Sequence, residues 1–163
     1  MSHEKNFCQY SLPCFTKFYG FLKHNEKIVG FIYEFMCNGS LDSYIKKNQI
    51  NEMYSLMVIL RLCEGIKYLH ENKLIHRDLK PMNILVDHNY YPYISDFETI
   101  RSIELTESSF TNDIGSPLYS SPEQDFGENI SFPADIYSFS LIIYYLYDKT
   151  DMHSFLSQMF RIL

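Results

Sequence analysis

The chain has 163 residues, enough to bury one core and short for two domains. Hydrophobic residues make up 46% and charged ones 21%, with 13 Phe and 14 Tyr, which excludes a disordered chain. With 14 Lys and Arg against 20 Asp and Glu the formal charge is -6, the wrong sign for a nucleic-acid partner.

The predicted elements begin with strands. Runs 15–21 and 28–36 are rich in aromatic and β-branched residues, and the polar Lys23-His24-Asn25-Glu26-Lys27 between them predicts a hairpin. After Asn38-Gly39 the period becomes helical: Ser40 is placed to cap a helix over 41–48, and Asn51 a longer one to about 72. Met53, Leu56, Met57, Leu60, Cys63, Ile66 and Leu69 recur there at three- and four-residue intervals and predict the core stripe. Gly65 costs this helix about 1 kcal/mol against Ala. Short strands are expected at 74–75, 84–86 and 93–95, with a turn at Asp87-His88-Asn89. Residues 98–121 form a long polar loop, a length that in a compact domain marks function. Pro133 fits the first turn of a helix to about 147 whose face is Ile136, Phe139, Ile143 and Leu146, and a further helix is expected over 153–163.

No repeat or linker divides the chain, so one domain is expected. The longest apolar stretch, 136–147, is too short to cross a bilayer and contains Ser138 and Ser140, so no membrane segment is expected. Cys8, Cys14, Cys37 and Cys63 form no CxxC pair and no secretory leader is read, so reduced thiols, no zinc site and a cytoplasmic setting are expected.

The segment that carries chemistry is His76-Arg77-Asp78-Leu79-Lys80-Pro81-Met82-Asn83, which sets an acid, a base and an amide between two short apolar runs. A lone Asp there would read as a turn residue. In this company it matches H-R-D-x-x-x-x-N, and the chain resembles the eukaryotic protein kinases. Asp96-Phe97-Glu98 is similar to D-F-G and Ser121-Pro122-Glu123 to A-P-E, in the right order. Asp135-Ile136-Tyr137-Ser138-Phe139-Ser140 resembles the start of the family's following helix. Lys17 to Phe21 and Tyr33 to Leu41 resemble the strand before the hinge and the hinge itself.

The resemblance implies an α+β, protein-kinase-like fold, mostly the helical C-lobe with a remnant of the N-lobe sheet and hinge. Residues 1–37 would be that remnant and hinge, and 38–163 an incomplete C-lobe. It implies transfer of the ATP γ-phosphate to Ser/Thr hydroxyls of a protein substrate, with ATP and Mg²⁺ bound. Asp78 would orient the attacking hydroxyl and accept its proton, Lys80 would steady the phosphate, and Asn83 and Asp96 would hold Mg²⁺ through hard oxygens. Backbone at Glu34 and Met36 would meet adenine, Leu85 its face and Ser40 the ribose. Lys80 and Ser116 resemble the Ser/Thr-specific members, while Asn38-Gly39-Ser40-Leu41 resembles the tyrosine-kinase-like branch. Arg77 is expected to dock a phosphate placed on Thr106, Ser108, Ser109 or Thr111, which phosphopeptide mapping of active protein would test. His76 is expected to pack behind the loop and Asp135 to anchor its backbone, while His3, His24, His70, His88 and His153 have no partner spacing for a metal and are assigned nothing.

The pattern also departs from the family. Glu98 stands where glycine follows Asp-Phe, and is expected to resist the backbone angles glycine allows and to alter the metal site. No Gly-rich strand-turn-strand or strand Lys is read before residue 15, where His3 falls at the helix acid and Glu4 one place off. The sequence ends a few residues into the helix expected after Asp151, so Glu123 is expected to lack its arginine partner as a buried carboxylate. These departures motivate an alternative, a catalytically impaired pseudokinase-like binding module. A small-molecule phosphotransferase fits less well, because the long Ser/Thr-rich segment and Ser-Pro-Glu belong with peptide substrates.

Overall fold

The computed structural model describes residues 14–25, 27–103, 118–126 and 130–148. Its first elements are β1 (Phe18–His24) and β2 (Lys27–Tyr33), an antiparallel pair in register from Phe18 opposite Tyr33 to His24 opposite Lys27. The expected five-residue turn is tighter: Lys23, His24 and Lys27 lie in the strands, because a ladder open to water accepts polar side chains. Asn25 takes the positive φ of +47° that the reversal needs, a conformation Asn tolerates. Phe18, Phe21, Phe31 and Tyr33 form one aromatic cluster, with ring centroids 4.9 Å apart for Phe18 and Phe21. Tyr19, Leu22, Val29 and Ile32 are exposed. Phe15, expected in the first strand, instead makes a parallel bridge to Ile94 and packs into the main core.

Both predicted caps are present. The Ser40 hydroxyl accepts from the Ser43 N–H at 3.2 Å ahead of α1 (Leu41–Lys47), and Asn51 Oδ1 accepts from the Tyr54 N–H at 2.8 Å ahead of α2 (Glu52–Glu71). Each such cap stabilises its helix by about 1 kcal/mol. The other helices are α3 (Pro122–Asp125) and α4 (Phe132–Asp148).

The core stripe of α2 differs from the expected one. Ser55, Val58, Leu62, Gly65, Ile66 and Leu69 are buried, whereas Met53 is 73% exposed, Leu60 is 57% exposed, and Leu56 and Cys63 also face solvent. The helix is apolar on two sides, and the buried side is chosen by its small residues, which let neighbouring elements approach. Met53, Leu56, Met57 and Leu60 line a shallow groove of about 650 Å³ with Arg61 and Tyr91. In α4 the forecast is half right: Phe139 and Leu146 are buried, Ile143 packs at the core edge, and Ile136 is exposed. Full burial of a Leu or Ile, as at Leu62, Leu69, Ile142 and Leu146, contributes about 1.5–3 kcal/mol each.

Gly65 sits where strand and helix touch. A Cβ there would meet Ile94 Cδ1 at 2.5 Å and Cys14 Cβ at 3.4 Å. Gly65→Ala gains about 1 kcal/mol of helix propensity and loses about 1–3 kcal/mol to overpacking, because Ile94 is itself buried. A net loss of stability is expected, read as a lower urea midpoint.

Four short strands then hold the loops: β3 (Leu74–Ile75), β4 (Ile84–Val86), β5 (Pro92–Ile94) and β6 (Arg101–Ser102). β4 pairs antiparallel with β5, one residue earlier than the predicted 93–95, because Val86 lies opposite Pro92. Asp87 Oδ1 closes their turn by accepting from the N–H groups of Asn89 and Tyr91. β3 pairs with β6, a strand too short to read from the sequence. Residues 76–83 thus leave β3 and enter β4, and residues 95–100 join β5 to β6. Among the described residues no helix is long and apolar enough to cross a membrane. Residues 104–117, which contain Thr106, Ser108, Ser109, Thr111 and Ser116, and the helix expected over 153–163 lie outside the described residues.

Candidate active site

The two loops converge on Asn83. Pro81–Asn83 is a single 3₁₀ turn that ends at β4, and Asn83 presents its amide nitrogen to three acceptors. These are the Asp78 carbonyl at 2.9 Å, Asp78 Oδ2 at 2.8 Å and Asp96 Oδ2 at 3.2 Å. Lys80 Nζ donates to the same Asp78 Oδ2 at 2.6 Å, within a largely buried ion pair. The other carboxylate oxygen, Asp78 Oδ1, is buried and has no hydrogen-bond partner among the described residues. Leaving a charged acceptor so costs about 1–3 kcal/mol or more.

The backbone beneath is held under strain. Arg77 has φ +74°, which costs a non-glycine residue about 1–2 kcal/mol. Asp135, buried near the start of α4, offsets this: its carboxylate accepts from the His76 N–H at 2.9 Å and the Arg77 N–H at 3.0 Å. His70 supports that carboxylate at 2.9 Å, a role the sequence reading did not give it, and the Phe132 ring packs over the imidazole. His76 is fully buried. Its Nδ1 accepts from the Asp78 N–H, which places the ring proton on Nε2, facing the Ser95 carbonyl. Burial, reinforced by the like charge of Arg101, holds the Arg77 guanidinium below its usual range.

Asp96 carries the second strained backbone, at φ +66°. Phe97 follows, lying nearly parallel to Tyr33 at 5.8 Å between ring centroids and against Phe15 at 5.7 Å. Tyr33 and Phe15 thereby fix the loop that aims Asp96. The expectation for Glu98 is corrected here: the left-handed residue is Asp96, Glu98 takes ordinary angles in the single turn Phe97–Thr99, and its exposed side chain demands no glycine. Glu123 is half-buried rather than buried, so the expected penalty of a dry, unpaired carboxylate does not arise.

The other named residues lie along β4. Asn38 N–H donates to the Val86 carbonyl and Val86 N–H to the Gly39 carbonyl, so residues 34–40 run against this strand, with Gly39 at φ +69° closing a turn onto Met36. Glu34 spends its N–H on the Lys17 carbonyl and Met36 its carbonyl on the Gly39 N–H. Leu85 is half-buried between the fully buried Ile84 and Val86, on the opposite face of β4. Ser40 bridges to Leu85 through its backbone, and its hydroxyl is engaged at the α1 cap.

A hard cation fits the oxygen set. Asp78 and Asp96 place two carboxylates around one amide, with Lys80 the nearby ammonium, so the cluster favours added positive charge. Asn83 turns its nitrogen toward Asp78 and Asp96 in these contacts, and its amide carbonyl oxygen is a ligand of the type Mg²⁺ prefers. No group of three His, Cys, Asp or Glu poised for a metal occurs among the described residues.

The family model described as protein kinase domain matches residues 5–159. The chain belongs to the protein kinase family. This kinase chain is 36% identical over 138 residues to mitogen-activated protein kinase kinase 1 of Arabidopsis thaliana, covering 83% of the chain and 38% of that relative. It is 31% identical over 134 residues to a probable LIM domain-containing serine/threonine-protein kinase of Dictyostelium discoideum, covering 81% and 20%. A solved structure of the yeast RNA Pol II CTD kinase CTDK-1 complex superposes with a TM-score of 0.77 at 27% identity, covering 90% of the kinase chain and 48% of that one. The α+β kinase fold is therefore the fold of this chain. The chain spans well under half the length of these curated relatives.

Proposed function

We propose that the chain binds ATP with Mg²⁺ and transfers the γ-phosphoryl group to Ser/Thr hydroxyls of protein substrates. The observation that carries this reading is the Asp78 carboxylate, anchored at Oδ2 by Lys80 and Asn83 and with no hydrogen-bond partner at Oδ1 among the described residues. A substrate hydroxyl donating to Oδ1 would be oriented for attack and would find its proton acceptor in place. Bound MgATP would supply the transferable phosphoryl group and the cation that neutralises its charge.

The chain's own residues supply the positioning. Asn83 and Asp96 would hold the cation, Lys80 would steady the phosphoryl oxygens, and the Glu34 carbonyl and Met36 N–H would pair with the adenine edge while Leu85 covers its face. Ser40, expected near the ribose, also uses its hydroxyl at the α1 cap. Serine/threonine specificity is supported by Lys80 two residues after Asp78. The proposal includes an intracellular setting, supported by the need for ATP and by the free thiols of Cys14, Cys37 and Cys63.

The test is transfer of labelled phosphate from MgATP to a generic protein substrate by the full chain. Transfer that requires Mg²⁺ supports the reading. Nucleotide binding with no transfer would favour the binding-module alternative instead.

A further inference from the structure

Gln124 belongs to none of the motifs above, yet it is buried and uses both ends of its amide across two parts of the fold. Its Nε2 donates to the Arg77 carbonyl at 2.8 Å. Its Oε1 accepts from the Ser121 N–H and hydroxyl, each at 3.3 Å. The Ser121 N–H requires an acceptor and the Arg77 carbonyl a donor, so both contacts fix the same amide orientation. Arg77 is the strained residue immediately before Asp78. Its N–H is held by Asp135 from α4 and its C=O by Gln124 from α3, one side chain on each polar end of the residue.

We infer that Gln124 is a positioning residue for Asp78, locking the Arg77 backbone so that the carboxylate keeps its aim. The catalytic consequence rests on the phosphotransfer reading; the clamp itself does not. A side chain that fills the same space without a donor removes this hydrogen bond from the buried Arg77 carbonyl, and the loop relaxes. Misplacement of a reacting group by about 1 Å can cost as much as 100-fold in rate.

Two near-isosteric variants of the full chain test it. Gln124→Met is expected to lower kcat about 10- to 100-fold with KM for ATP unchanged, since the residues assigned to the nucleotide are untouched. Gln124→Glu is expected to be impaired at pH 8, where a carboxylate oxygen faces the Arg77 carbonyl. It should recover as the pH falls to 6, because a protonated carboxyl donates to Arg77 and accepts from Ser121, and burial raises its pKa. The ionisable neighbours, His70 and His76 near Asp135, Arg77 and Arg101, and Glu123 and Asp125 on α3, are common to wild type and both variants. Ratios to wild type at each pH therefore isolate the new carboxyl.

Amide hydrogen exchange of residues 76–79 is read in parallel and should quicken in Gln124→Met. Unchanged kcat in both variants, or a Gln124→Glu defect that ignores pH, overturns the inference. If Gln124→Met fails to unfold cooperatively, the pH recovery of Gln124→Glu decides. If the wild type transfers no phosphate, the phosphotransfer reading falls and exchange alone decides: quickened exchange supports the clamp, and unchanged exchange overturns it.

Discussion

Asp78→Asn is expected to slow phosphoryl transfer about 10²- to 10⁴-fold, the range that a positioned acid or base contributes, while nucleotide affinity changes little. The substitution keeps size and shape. Lys80 and Asn83 both donate to the anchored oxygen, so the new side chain turns its carbonyl toward them. Its NH₂ then occupies the place of Oδ1, a donor facing a hydroxyl that itself must donate. Single-turnover measurements separate the transfer step from binding. A rate within about threefold of wild type would remove Asp78 from the chemistry.

Asp135→Ala is expected to destabilise the fold by about 3–5 kcal/mol, the scale of breaking a buried charged network from one side. The carboxylate is 1% exposed and accepts from the His76 and Arg77 N–H groups and from His70. Alanine leaves two backbone donors dry and removes the restraint on a left-handed Arg77. Against a usual total stability of about 5–15 kcal/mol the variant would be marginal. The urea midpoint at constant m-value reads the change. A loss under about 1 kcal/mol would mean that water reaches the His76–Arg77 backbone and that the loop is not held from α4.

What could be read in the sequence was whatever nearby residues determine. Ser40 and Asn51 cap their helices because a cap needs only the next three residues. The span from His76 to Asn83 carries its own chemistry, and the structure closes it into one hydrogen-bonded unit. The stripe on α2 was misread because hydrophobicity marked two faces, while the deciding residues, Ser55 and Gly65, are small and score as neither. Gly65 in particular reads as a helix defect until Ile94 is found against it. His70 and Gln124 were missed for a different reason: their partners lie 65 and 47 positions away, and no local pattern reports such a pairing. Tyr33 was read only as hinge, yet its ring stacks on Phe97 and so helps to aim Asp96. The signal that could have found Gln124 is its place in the Ser121 capping box, where an amide three residues after the cap has an end to spare.

The account depends above all on Asn83 and Asp96 forming a cation site that becomes complete with a nucleotide. Isothermal titration of the full chain with ATP, with and without Mg²⁺, tests this most directly when run beside Asp96→Asn. Tight binding that requires Mg²⁺ in the wild type and is weakened at least tenfold in Asp96→Asn is the predicted result. Binding indifferent to both the metal and Asp96, or no binding at all, would contradict it.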